Sequence, residues 1–136
     1  MIIMPIQGKK RGNEVDIVKV WEWLQSLGNL DGVTVVVEKP NNAQTPSTAA
    51  SMADSFGVMR ALLALKSIRH VFISPQSWQK AMLPNCQKGQ TKVYALSVAK
   101  QLWPHETWLA TPRCKVPDSG LVDASLIGEY ARRSNL

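Results

Sequence analysis

Cysteine is scarce in this 136-residue chain, and neither Cys86 nor Cys114 sits in a CxxC pair or at a ligand spacing from histidine. That excludes a disulfide scaffold and the common zinc modules, and reads as two reduced thiols of a cytoplasmic protein. Long apolar runs are also lacking. None approaches the ~18 residues of a membrane helix, and polar residues 7–11 cut the apolar opening too short for a signal peptide. No glycine-rich phosphate loop and no nucleophile elbow occurs, because the 8 glycines are scattered. Histidine amounts to His70 at a strand start and His105 in a loop, both read as structural or solvent-facing. There are no repeats and no low-complexity tracts. A chain of this size fits one domain, residues 1–136, able to bury roughly 65–70% of its unfolded surface without a staple.

Acid is what one region lacks most. The net charge is +6, yet residues 1–45 hold five Lys/Arg against five Asp/Glu. Residues 46–136 hold eleven against five and so carry the whole excess. Between 76 and 117, Lys80, Lys88, Lys92, Lys100, Arg113 and Lys115 face the single acid Glu106. A one-sided basic region draws phosphate backbones through counterion release. It also serves simply to keep a protein soluble.

What is present follows an alternating order. "MIIMPI" reads as a short strand. Asn13 can cap a helix over 14–27, with Val15, Val18, Trp21 or Val20, Leu24 and Leu27 at helical spacing and Gly28 as its stop. Glu14 and Asp16 then read as first-turn acids favoured by the helix dipole. "VTVVV" predicts a strand over 33–37 that barely alternates, as strands buried on both faces do. After the loop 39–46, with Ser47 or Thr48 as cap, "STAASMADSFGVMRALLAL" reads as a long helix. Its first half is made of small residues suited to close packing. "HVFISP" is a further strand, and "PQSWQKAM" one or two helical turns. "QTKVYALSVAKQLWP" is a helix with Val93, Leu96, Val98 or Ala99, and Leu102 inward. A final helix over 119–132 turns Leu121, Val122, Leu126, Ile127 and Tyr130 inward. The order predicts an α/β layered domain with a small, largely parallel sheet flanked by helices.

Two carboxylates stand out by position. Glu38 ends "VTVVVE", and the carboxyl edge of an open α/β sheet is where ligands and metals bind. It is equally the first residue a strand would release to solvent. Asp123 lies within the apolar register of the last helix, where an acid is costly unless paired or bound to a cation, or else it sits half-exposed at the helix edge. Asp118, just before that helix, suits an N-cap.

The blocks "VTVVVEKP", "SMADSFGVMRALLAL", "ISPQSWQKAM", "TKVYALSVAKQLWP" and "DSGLVDASLIGEY", in that order, resemble a RuvC-type Holliday-junction resolvase of the phage branch. The likeness covers nearly the whole chain. It implies an RNase H-like fold, homodimers, and acidic residues holding Mg²⁺ or Mn²⁺ for an in-line displacement. By the resemblance, Glu38 matches the family's strand-end glutamate and Asp123 the aspartate of its last helix. Asp118 stands in for a further upstream acid on looser spacing. Gly120 and Ser119 occupy places where the family often carries a ligand. Lys80 and Lys92 match basic positions near DNA phosphates, and Lys88, Arg113 and Lys115 extend that set. Gln76 and Trp78 fit the "P-x-x-W" turn, with Trp78 assigned to packing.

The chain departs from the family at its start. No "D-P-G" strand supplies the first metal-ligand Asp, "MIIMPI" corresponds to the family's third strand, and no aromatic wedge follows Glu38. The gap so left in the sheet implies either that "MIIMPI" pairs with "VTVVV" or that two chains share strands. Three readings follow from the sequence. The chain is a resolvase-derived protein that binds branched or duplex DNA with impaired cleavage, an active Mg-dependent structure-selective nuclease, or a small α/β interaction module with an unrelated ligand.

Overall fold

The computed structural model describes residues 15–41 and 44–136. The strand expected from "MIIMPI", and Asn13 and Glu14, lie outside them. Among the described residues the protein is a small α/β fold of five helices and a two-stranded parallel sheet. They divide into two compact units, one ending at Ser74 and the other starting at Pro75.

The first unit holds α1 (Ile17–Ser26), β1 (Val35–Glu38), α2 (Pro46–Leu65) and β2 (His70–Ile73). Helix α1 starts later than the sequence suggests. Its cap is Asp16, whose carboxylate accepts from the Lys19 backbone N–H at 3.3 Å. Val20 and Leu24, four residues apart, form its buried stripe, whereas Val18 is exposed. Gly28 takes the left-handed conformation that ends a helix without a Cβ penalty.

Strand β1 starts two residues later than expected and ends one later, so Glu38 is its last member. It pairs in parallel with β2, Val35 opposite His70 and Glu38 opposite Ile73. The ladder continues past both ends through Val35 N–H to Arg69 O (2.9 Å) and Lys39 N–H to Ile73 O (2.8 Å). All four β1 residues are half-buried rather than dry, because a sheet of two strands cannot cover both of its faces.

Helix α2 makes the crossover between the parallel strands. Its cap is Thr45, ahead of the expected Ser47 or Thr48. Pro46 supplies a first-turn residue with no N–H to satisfy, and the Thr45 hydroxyl accepts from the Thr48 N–H at 3.2 Å. Met59 and Leu63 are buried, and Phe56 meets the Phe72 ring edge-on at 5.0 Å. Lys66, just past the helix end, sits 4.5 Å above the Trp21 ring of α1. The small residues of the first half do not pack as expected: residues 47–50 and 52–54 are exposed.

The second unit is helical: α3 (Pro75–Met82), α4 (Thr91–Leu102) and α5 (Ser119–Arg133), with α5 packed against both others. Trp78, Met82, Val122, Leu126 and Ile127 are buried as an apolar core requires. Helix α4 turns a different face inward from the one its large residues suggest. Ala95 and Ala99 are buried to 1% and 0%, while Val93 remains 70% exposed. Small residues on the buried face of a helix permit close approach of a neighbour, and α4 packs against α5. The buried Ser125 hydroxyl is satisfied by Leu121 O at 2.8 Å. Trp108 is buried in a left-handed backbone conformation, beside the Trp103 ring at 5.7 Å.

Candidate functional site

Glu38 is held by backbone pairing at the carboxyl end of β1, half-buried, with β2 running the same way beside it. The loop that follows leads to the capped start of α2. This is the position from which a strand-end acid can meet a ligand.

Asp118 and Asp123 both belong to the helical unit. Asp118 is the N-cap of α5, and one carboxylate oxygen accepts from the Leu121 N–H at 3.0 Å. Its own N–H donates to Trp108 O at 2.7 Å, which fixes the entry of the chain into the helix. Asp123 lies in the second turn and is half-buried. Five positions at 100° each place the two acids roughly 140° apart around α5. Among the described residues, no three His, Cys, Asp or Glu side chains gather to hold a metal ion.

The basic positions are more coherent. Lys80 lies on α3, Lys88 in the connection to α4, Lys92 in its first turn, and Arg113 and Lys115 in the loop before α5. All five are exposed, as is Lys100 in the last turn of α4. None of these six cations forms a salt bridge with another described residue. The charge excess follows the division of the chain. Residues 15–74 hold five Lys/Arg and five Asp/Glu, and residues 75–136 hold eight against four.

Sequence reasoning missed one charged cluster. Glu129, buried on α5, accepts from Arg132 Nε and Nη2, both at 2.8 Å, and from Arg133 Nε at 2.7 Å. Hydrogen bonds from Arg132 and then Arg133 pull its carboxyl down to about 2, against the opposing effect of burial. Glu129 in turn raises the Arg132 guanidinium above its ordinary range. The signal was legible in "EYARR", where acid and base stand three and four apart. The cluster pairs two of the eight cations with an acid of the same helix and leaves the other six without a salt bridge to a described residue.

No protein-family model matches the chain, and no curated protein matches it either. No helix among the described residues is long and apolar enough to cross a membrane.

Proposed function

We propose that this chain is a DNA-binding protein of RuvC-type descent that engages branched DNA through its helical unit and cleaves it poorly or not at all. One observation carries the binding half: residues 75–136 hold eight Lys/Arg against four acids, six of the eight exposed and without a salt bridge to a described residue, whereas residues 15–74 balance five against five. The descent is supported by the ordered blocks of resemblance and by a parallel strand–helix–strand crossover with Glu38 at its carboxyl edge. In this reading the RNase H-like sheet is the scaffold, and Glu38 and Asp123 are inherited metal positions for Mg²⁺ or Mn²⁺. Poor cleavage is read from Asp118, which commits an oxygen to a helix cap, and from the described residues, no three of whose His, Cys, Asp or Glu side chains gather to hold a metal ion.

The test is binding to a labelled four-way junction and to linear duplex, with Mg²⁺, Mn²⁺ or EDTA. Junction-preferring binding that weakens steeply with salt and yields no nicks is the expected result. Lys92→Gln and Arg113→Gln should each lower the slope of log K against log salt by about 1. Metal-dependent nicking that disappears in Glu38→Gln would instead make the chain an active nuclease. Absence of binding to either DNA defeats the proposal and leaves an α/β module with an unrelated ligand.

A further inference from the structure

Glu129 stands in a place that an apolar residue would fill. Val122, Ser125, Leu126 and Glu129 recur at helical spacing along the buried face of α5. A well-packed apolar side chain in such a place is often as stabilising as a buried ion pair, or more so. Arg132 and Arg133 do not need an acid to be at ease either, because the carboxyl end of a helix favours cations. The buried acid therefore has a use beyond stability.

That use lies in how it holds the two guanidinium groups. Arg132 turns its Nε and Nη2 to the two carboxylate oxygens at 2.8 Å, and Arg133 turns its Nε alone at 2.7 Å. Nη1 of Arg132 and both Nη nitrogens of Arg133 make no hydrogen bond to a described residue. Both arginines are exposed. Arg133 thus keeps free its paired Nη N–H groups, a fork that fits two oxygens of one phosphate. A surface arginine ordinarily loses side-chain freedom when it takes a fixed partner. Here a buried anchor has already removed much of it.

We propose that Glu129 is a positioning residue, which aligns Arg132 and Arg133 so that the pair grips a phosphate of bound DNA. This rests on the DNA-binding reading above and adds a contact to it. Two guanidinium groups against one carboxylate leave one positive charge for the phosphate. Positioning also has a sign opposite to that of charge alone. Removing an acid makes the protein more positive, which by itself tightens DNA binding. Loss of alignment loosens it.

Fluorescence anisotropy of a labelled four-way junction, titrated with the full chain over a salt series, tests this. Glu129→Gln should bind about three- to tenfold more weakly than wild type, despite its extra net positive charge. Arg133→Lys keeps the charge and loses the fork. It should weaken binding by about the same factor, with the slope of log K against log salt unchanged. Should Glu129→Gln lose its helical circular dichroism, Arg133→Lys at its exposed position decides alone. A folded Glu129→Gln that binds as tightly as wild type or tighter overturns the proposal and leaves the DNA-binding reading in place. So does Arg133→Lys binding indistinguishable from wild type. A wild type that binds no DNA defeats that reading, and this proposal with it.

Discussion

Replacing Glu129 by glutamine removes one charge from the helical unit and leaves the shape of the side chain intact. In the wild type that carboxylate is 11% exposed and receives three hydrogen bonds from two guanidinium groups. A carboxyl lowered from 4.5 to about 2 corresponds to an upper bound of about 3 kcal/mol. Arg132 and Arg133 are 72% and 51% exposed, so water screens much of that. About 1–2 kcal/mol remains. For a chain of this size that moves the urea midpoint of Glu129→Gln down by about 0.5–1.5 M at pH 7. The pH dependence has a defined sign. A carboxyl depressed in the folded state contributes fully above its unfolded value of 4.5 and loses that contribution as pH falls through about 2. The gap between wild type and variant should therefore hold steady above pH 4.5 and close toward pH 2. Urea titrations at pH 7, 4.5, 3 and 2 read it directly. A gap that is absent at pH 7, or that persists unchanged to pH 2, refutes the assignment.

Two other substitutions probe the scaffold. Leu63→Ala empties a fully buried site on α2 and should cost about 2–5 kcal/mol, read from the urea midpoint. Asp118→Ala removes the α5 cap and should cost about 0.5–2 kcal/mol, with Asp118→Asn close to wild type because its amide oxygen still accepts from Leu121.

Periodicity located the long helices well. The segments that became α2, α4 and α5 were readable to within a residue or two, since each has apolar spacing bounded by proline, glycine or a capping side chain. Which face turned inward was less legible. Val93 and Leu102 were expected in the core and lie exposed, whereas Ala95, not expected there, is buried, and of the alternatives Val98 and Ala99 the smaller one is buried. A pattern of hydrophobicity measures what a side chain gains on burial, and the approach of a neighbouring helix depends on how little room it takes. On α1 the alternative Val20 is the buried one, four residues from Leu24, and Val18, expected inward, is exposed. The basic positions were readable because charge demands solvent. Glu129 was not found, because its burial depends on where α5 packs. Glu38 was correctly placed at a strand end, and its place inside the ladder came only with the register to Ile73.

The indoles divide with the chain. Trp21 and Trp23 belong to the sheet-bearing unit and Trp78, Trp103 and Trp108 to the helical one. The ammonium above Trp21 and the tilted Trp103–Trp108 pair give each unit its own optical environment. Emission changes can therefore be assigned by single Trp→Phe replacements, with no attached dye. Melting would then show whether the halves part company or lose structure as one, and added DNA would show which half feels it first.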